Sequence, residues 1–339
     1  MIGNLAPFPW FGGKARAAAT AWAALGDVDH YIEPFGGSAA VLLARPVDHR
    51  RGTETYNDTD GHLVNVWRAM RAAPDDVAAA ADWPVSEIDL TARHIRLVGA
   101  REDLTRRLLA DPYYYDAEMA GWWIWGACCW IGSGWCSGDG PWSLIDGEIT
   151  TGADAGVRRK IPHLGSAGQG VHRKIPHLGD AGQGVHRRNR ADRASALRVW
   201  FGDLAARLER VRITCGSWER VITPAVVGVD GLAGVLLDPP YPEGWDTETV
   251  YAGSTGSAVA LWDEVRAAAL DLAASGARVV VCGYRGTWTP PAGWTERPWD
   301  ARKGYSPSEA RHREVLWCSP LCLGGPRPTQ IALWQEDQA

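Results

Sequence analysis

The residues Asp238-Pro239-Pro240-Tyr241 combine groups that could activate an exocyclic amino group. The lone pair of such an NH2 group is delocalised into the ring, so an enzyme has to draw it out with acceptors on the two hydrogens. The Asp238 carboxylate supplies one acceptor and the Pro239 carbonyl the other. The ring of Tyr241 can stack on an extruded base. The tetrapeptide therefore predicts amino-group chemistry, against the alternative of a proline-rich turn that closes a buried strand.

The first sixty residues predict a βαβ unit that would bring a ligand to one end of a sheet. Lys14 to Leu25 is rich in alanine and predicts a helix. Residues 30–33 and 53–56 predict two strands, and a helix is expected over 37–44. A strand that runs into a glycine-rich turn and then into a helix N-terminus is the usual place where a doubly wound sheet binds a nucleotide-like ligand.

The rest of the chain alternates between helical and strand patterns. Residues 63–130 predict helices, and the tryptophan-rich segment 122–142 favours a hydrophobic core over base contacts. A later helix carries apolar positions from Leu197 to Val211. Further strands are predicted at 212–214, 234–238, 277–282, 314–317 and 330–334, with a helix at 258–274 and the last two strands paired as a hairpin. The expected fold is α/β, with a mixed seven-stranded, Rossmann-like sheet.

Charge is distributed unevenly along the chain. The 339 residues carry a formal net charge of −5, but residues 158–212 hold thirteen Lys and Arg against four Asp and Glu. Inside that stretch, residues 159–172 recur as 173–186, with only Ser166 replaced by Asp180. Two short copies are too few for a solenoid and indicate a duplicated loop. The local positive charge favours contact with phosphates, and a solvated basic loop is the alternative.

The composition argues against several classes of protein. Apolar residues make up 46% of the chain, which is enough for a sizeable core. The segment with Pro7, Pro9 and Gly12 is too interrupted for a secretory signal, and no apolar stretch reaches the length of a membrane span, so a cytoplasmic protein is expected. The seven cysteines are odd in number and irregularly spaced. This pattern predicts reduced, buried thiols rather than a disulfide framework or a zinc site.

Several blocks of the chain together resemble the adenine-specific DNA methyltransferases of the Dam type, which use S-adenosylmethionine. Residues 9–14 are similar to the family's N-terminal block, and 33–39 to its glycine-rich cofactor turn. Residues 57–60 match its acidic block, and 238–241 its catalytic motif. The blocks occur in the order cofactor turn, insertion, catalytic motif. The resemblance implies a Rossmann-like S-adenosylmethionine methyltransferase fold that methylates adenine N6 in double-stranded DNA.

The resemblance also implies roles for single residues. The expected catalytic residues, which orient the amine and stack the flipped base, are Asp238, Pro239, Pro240 and Tyr241. The expected S-adenosylmethionine ligands are Trp10, Lys14, Glu33, Phe35, Gly37, Asp58 and Asp238. Asp58 would hold the ribose hydroxyls, although an Asp there could instead cap the next helix. Ala39 departs from the family, which commonly has Gly at that position. Transfer would be direct, without a metal or a covalent enzyme intermediate.

The domain division follows from the same resemblance. Residues 1–74 and 195–339 would form the catalytic domain, and 75–194 an inserted, mostly helical target-recognition region with the basic repeat loop. The residues expected to contact DNA phosphates are Arg158, Arg159, Lys160, Arg173, Lys174, Arg187, Arg188 and Arg190. An enzyme of this kind can belong to a restriction-modification system, act alone in a bacterium, or modify the genome of a phage.

Two alternatives remain open at the level of the sequence. The same fold and motif could act on cytosine N4, on an RNA base or on a side-chain amide. A catalytically inactive DNA-binding relative is the other alternative, suggested by Ala39 and by the duplicated loop.

Overall fold

The computed structural model describes residues 6–10, 12–50, 52–130, 135–136, 142–145, 148–151, 190–228, 231–241, 258–299 and 313–324. The basic tandem repeat and the strand expected at 330–334 lie outside these residues, so the predictions made for them stay predictions.

The molecule is built on a seven-stranded sheet with the order β5-β2-β1-β6-β7-β9-β8. The first five strands in this order are parallel, and β9 runs antiparallel to both of its neighbours. The strands are β1 His30–Glu33, β2 Thr53–Asp58, β5 Val211–Cys215, β6 Ala233–Leu237, β7 Arg278–Tyr284, β8 Thr295–Pro298 and β9 Glu314–Cys318. A separate hairpin pairs β3 Trp142–Ile145 with β4 Glu148–Thr151. The predicted mixed seven-stranded α/β sheet is confirmed.

The central strands are buried on both faces, which explains why they read as continuous apolar runs in the sequence. Every residue of β1, β6 and β9 is buried. In β6, Leu236 belongs to one hydrophobic cluster, whereas Val235 and Leu237 belong to the cluster on the opposite face. This alternation is the two-residue period of a strand. It places Asp238, the next residue, at the carboxyl end of the central strand of the sheet.

One strand in the region after β7, β8, was missed by the sequence analysis. The predicted pairing of 314–317 with 330–334 stays a prediction, because 330–334 lies outside the described residues, and within them β9 pairs with β7 and β8. Strand β8 has the sequence Thr-Glu-Arg-Pro and alternates between half-buried and exposed residues at the sheet edge. A short polar segment that ends in proline has the composition of a turn. It lacks the apolar residues by which a strand is recognised in a sequence, so β8 was not predicted. The hairpin of β3 and β4 was also not predicted.

The helices agree with the predicted pattern, with shifted ends. They are α1 Ala18–Leu25, α2 Ala40–Leu43, α3 Gly61–Ala72, α4 Pro74–Ala81, α5 Glu87–Ala110, α6 Ala117–Cys129, α7 Arg190–Leu208, α8 Pro224–Val227 and α9 Ala258–Ala274. The bounds predicted for α9 are confirmed. Val211 was placed in α7 by its apolar spacing, which was wrong, because it is the first residue of β5 and is buried there.

The helices that precede the basic repeat share a hydrophobic core with the sheet. Helix α4 packs against α6 and α7, and α3 packs against α5 and α6. Trp123 and Trp125 of α6 are buried, which confirms a core role for these two rings. In α5, Leu104 and Leu108 are buried in this core, whereas the side chain of Leu109 is exposed. The division at residue 75 therefore does not coincide with a break in hydrophobic packing, and the inserted domain stays a prediction.

All seven cysteines are free thiols with buried side chains, as predicted. Burial raises the pKa of the Cys128, Cys136 and Cys282 thiols well above the usual range. They therefore act as small hydrophobic residues. Among the helices that the structure describes, none combines the length and the apolar character needed to cross a membrane.

Candidate active site

The strand order reverses at one point of the sheet, and the predicted site residues gather there. From β1 the chain continues to β2 on one side, whereas β6 lies on the other side of β1. In open α/β sheets, ligands bind in the crevice outside the carboxyl ends of the strands at such a reversal. Glu33, Asp58 and Asp238 stand at the carboxyl ends of β1, β2 and β6. The structure thus brings together carboxylates from three separated parts of the chain.

The glycine-rich turn after β1 is tightly packed by the protein itself. A side chain at Gly36 would overlap the Tyr56 ring, with the added Cβ only 2.1 Å from Cε2. At Gly37, whose φ is +48°, the Cβ would lie 2.6 Å from Nε1 of Trp10. The Gly37 carbonyl accepts hydrogen bonds from the Tyr56 hydroxyl at 2.9 Å and from the Trp67 indole at 3.2 Å. The two glycines are therefore required by neighbouring aromatic rings.

Ala39 adopts a left-handed conformation with φ 52° and ψ 25° directly before α2. This conformation costs an L-residue about 1–2 kcal/mol, whereas glycine adopts it freely. Ala39 therefore carries backbone strain that a glycine at this position would avoid. The Ala39 methyl is buried in the core, so it offsets part of the strain.

Asp58 fastens the turn to the end of β2. Its Oδ2 accepts a hydrogen bond from the Gly37 amide at 2.9 Å, and its Oδ1 accepts one from the Asp60 amide at 2.8 Å. Burial raises the pKa of the Asp58 carboxyl to about 6. The cap of α3 is instead Asp60, whose Oδ1 accepts from the His62 amide at 2.9 Å. The structure therefore decides against Asp58 as the helix cap.

Glu33 and Phe35 are held by protein contacts on either side of the turn. The Glu33 carboxylate accepts hydrogen bonds from the Tyr31 hydroxyl at 3.2 Å and from the Leu42 amide at 3.1 Å. Burial raises the pKa of Glu33 to about 8. The Phe35 ring stacks on Trp218, with 5.6 Å between the ring centroids. The cofactor contacts expected of Glu33 and Phe35 stay predictions.

Asp238 and Lys14 form an ion pair at the centre of the site. The Lys14 Nζ lies 3.0 Å from Oδ1 of Asp238 and also donates to the Gly12 carbonyl at 2.7 Å. The Tyr241 hydroxyl donates to the same Asp238 oxygen at 3.0 Å. Lys14 is buried and Asp238 is partly exposed, with 19% of its side chain accessible. The two predicted site residues therefore meet directly, and the N-terminal block is joined to the catalytic tetrapeptide.

The Tyr241 ring is packed by aromatic and cationic neighbours. Its centroid lies 4.8 Å from that of Tyr284 in an edge-to-face arrangement, and 6.4 Å from that of Trp262. The Lys14 ammonium sits 5.1 Å from the Tyr241 centroid. Burial raises the pKa of the Tyr241 phenol well above its usual range, so the hydroxyl remains a donor to Asp238. Stacking of a base on this ring stays a prediction.

Three neighbours of the site were missed by the sequence analysis. Tyr284 ends β7 and contacts Tyr241, Trp299 lies 6.0 Å from the Lys14 ammonium, and Glu314 begins β9 directly opposite Tyr284. Glu314 is buried, and the burial raises the pKa of its carboxyl. The available signal was a glutamate at the head of the apolar run Val-Leu-Trp. Whether Glu314 lies near the site depends on the position and direction of β9 in the sheet, and the apolar run does not predict these.

The residues expected to bind DNA fall almost entirely outside the described part of the chain. Arg190 is the first residue of α7. Arg158, Arg159, Lys160, Arg173, Lys174, Arg187 and Arg188 lie outside the described residues. Within the described ranges, no group of three or more His, Cys, Asp and Glu side chains is arranged to hold a metal ion.

No protein-family model matches this chain, and no curated protein matches it significantly.

Proposed function

We propose that this protein transfers the methyl group of S-adenosylmethionine to the N6 amino group of adenine in double-stranded DNA. The observation that carries the proposal is the position of Asp238 at the strand-order reversal, with Lys14 and Tyr241 on its carboxylate. A glycine-rich turn and a second carboxylate, Asp58, stand one and two strands away. The inserted target-recognition region belongs to the same proposal.

The residues around the turn fit the proposed cofactor. The Asp58 carboxylate accepts backbone hydrogen bonds from Gly37, Asp60 and Thr59, and a carboxylate has about four acceptor sites, so a site remains for a ribose hydroxyl. Carboxylates at Asp58 and Asp238 also favour the positive charge of a sulfonium. When bound, S-adenosylmethionine would supply an electrophilic methyl group. Trp10 and Gly37 lie in contact at the turn and would line the same crevice.

Positioning of the amine accounts for most of the proposed catalysis. Asp238 would accept one amino hydrogen and the Pro239 carbonyl the other, which turns the nitrogen lone pair toward the crevice. Because β6 is buried and ends at Leu237, directly before Asp238 and Pro239, both acceptors are attached to a rigid element. The Tyr241 hydroxyl keeps the carboxylate oriented through its 3.0 Å hydrogen bond.

DNA as the partner is supported by the distribution of charge along the sequence. The chain is acidic overall, yet its basic residues cluster between 158 and 212. A positive segment within an acidic protein would provide phosphate contacts and a strong dependence of affinity on salt. This basic segment lies between the cofactor turn and the catalytic tetrapeptide, where the proposed target-recognition region is inserted.

Mass spectrometry of DNA from an expressing host tests the proposal. The host should lack adenine methylation of its own, and its digested DNA should contain N6-methyladenosine with the wild-type chain. The Asp238→Ala variant, expressed to the same level and shown to fold by its circular dichroism, should leave adenine unmodified. Appearance of N4-methylcytosine would move the activity to the alternative acceptor. Unmodified DNA with a soluble wild-type chain would contradict DNA methylation altogether.

A further inference from the structure

Glu314 reaches the active-site edge of the sheet because β9 is antiparallel. Strands β6 and β7 end at this edge with Asp238 and Tyr284, whereas β9 begins there with Glu314. Glu314 lies directly opposite Tyr284 in the ladder, and directly opposite residues project from the same face. Tyr284 contacts Tyr241 on that face. Glu314 is thus a second carboxylate on the side of the sheet that holds the tetrapeptide.

The Glu314 carboxylate is enclosed and incompletely bonded. The residue is only 8% exposed, and its Oε2 has no hydrogen-bond partner among the described residues. A buried carboxylate oxygen without a donor is costly and needs an explanation. The Trp299 amide donates to the Glu314 carbonyl at 3.5 Å, and the Trp299 ring centroid lies 6.0 Å from the Lys14 ammonium, so Glu314 and Lys14 share a neighbour. Burial raises the pKa of Glu314, and Lys14 acts to lower it.

Lys14 occupies the place that the proposed substrate needs. Its ammonium donates to Oδ1 of Asp238, as the amino group of a target base would. It also lies 5.1 Å from the centroid of the Tyr241 ring on which that base would stack. A base that enters the site has to displace the ammonium from both. Lysine has a flexible four-carbon stem, so the ammonium can move while its backbone stays in place.

We propose that Glu314 is a positioning residue that receives the Lys14 ammonium when the target amino group takes Asp238. This inference rests on the proposed function. A buried ammonium that left Asp238 without gaining a partner would carry a large desolvation cost, and Glu314 removes that cost. A single displacement then frees an acceptor oxygen on Asp238 and clears the Tyr241 ring. Trp299, which lies 6.0 Å from the ammonium, helps to confine the motion.

A double-mutant cycle on the full chain tests the proposal. The proteins are wild type, Glu314→Gln, Lys14→Met and the double variant, and the DNA is a duplex carrying the site found by sequencing methylated host DNA. Glu314→Gln should lower the single-turnover methylation rate about tenfold, with the Kd for S-adenosylmethionine changed less than about twofold. In the Lys14→Met background the same change should alter the rate less than about twofold, because no ammonium needs a partner.

Two controls keep the outcome decisive. Glu264→Gln, an exposed glutamate on α9, should leave the rate unchanged. If Lys14→Met has no measurable turnover, a binding measurement replaces the rate. It compares the Kd for the duplex that carries adenine at the target position with the Kd for a duplex that carries purine there, because purine lacks the amino group. Glu314→Gln should reduce the preference for adenine, since Lys14 then stays on Asp238, and an unchanged preference would overturn the inference.

The remaining outcomes distinguish failure of this inference from failure of the proposed DNA methylation. An equal rate loss from Glu314→Gln in both backgrounds would show a merely structural role and overturn the inference alone. Wild-type kinetics in Glu314→Gln would do the same. A wild-type chain that methylates no DNA would overturn both.

Discussion

The Lys14 ammonium lies 3.0 Å from the Asp238 carboxylate, and this ion pair joins the N-terminal segment to the end of the central strand β6. Lys14 precedes α1, whereas Asp238 follows β6. The contact places a cation, a carboxylate and the Tyr241 hydroxyl at the strand-order reversal of the sheet. Because Lys14 is buried, the pair is screened by solvent less than a surface salt bridge would be.

Substitution of Asp58 should mainly weaken cofactor binding, whereas substitution of Asp60 should mainly lower the free energy of unfolding. Asp58→Ala removes the carboxylate that holds Gly37 and is proposed to hold the ribose, so calorimetry should show S-adenosylmethionine affinity reduced about tenfold or more. Asp60→Ala removes the α3 cap and should lower the free energy of unfolding by about 1 kcal/mol. Its effect on cofactor affinity should be smaller. Equal affinities in the two variants would contradict the role assigned to Asp58.

Gly37→Ala should disturb cofactor binding through contact with Trp10. The added Cβ would lie 2.6 Å from the indole Nε1 and would force the ring to move. The matched control is Gly276→Ala, where φ is +96° and a Cβ meets no atom within 4 Å. Both variants carry the strain of a positive φ, about 1 kcal/mol of unfolding free energy. Only Gly37→Ala should weaken S-adenosylmethionine binding, and calorimetry of both variants compares the two effects directly.

Glu33 should contribute a loss of stability as the pH rises from about 4.5 to about 8, opposed up to about pH 6.5 by His62, whose pKa burial lowers to about 4. The pKa of Glu33 in the folded chain is raised to about 8 from 4.5, so in this window the folded state keeps a proton that the unfolded state releases. The contribution to the slope is roughly 1.4 kcal/mol per pH unit while this difference lasts. Asp58 acts in the same direction between 3.8 and about 6.

Glu33→Gln isolates that contribution. Glutamine can still accept from the Leu42 amide and is neutral at every pH, so its denaturant-unfolding free energy should depend less on pH in the same window. Glu264→Gln, which alters an exposed side chain, should keep the wild-type dependence. Parallel pH profiles for wild type and Glu33→Gln would show that the folded-state pKa of Glu33 is not raised.

Deletion of residues 173–186 should separate DNA affinity from the cofactor site. The segment repeats 159–172 with one substitution, so its removal leaves one complete copy. S-adenosylmethionine affinity should stay unchanged. DNA affinity should fall, and the slope of log K against log salt should become shallower, because Arg173 and Lys174 are lost. An unchanged salt slope would identify the second copy as a solvated loop.

Strands β6 and β7 and helix α9 were predictable because their patterns are local. A parallel strand buried on both faces needs a continuous apolar run, as in 233–237 and 278–284. The carboxylate at Asp238 could be placed at a strand end for the same reason, since it follows such a run, whereas Asp58 follows the shorter and more polar strand pattern of residues 53–56. Strand β8 could not be predicted, because an edge strand with polar residues lacks that pattern.

The sequence by itself determined the α/β class, the main parallel strands and the residue types of the candidate site. The tertiary structure decided which of these residues meet: Lys14 with Asp238, Asp58 with Gly37, and Glu314 with the edge that holds Tyr284. The physical reason is that periodicity and turn chemistry act over a few residues. Contacts between distant residues depend on strand order, direction and register, which arise only when the whole core packs.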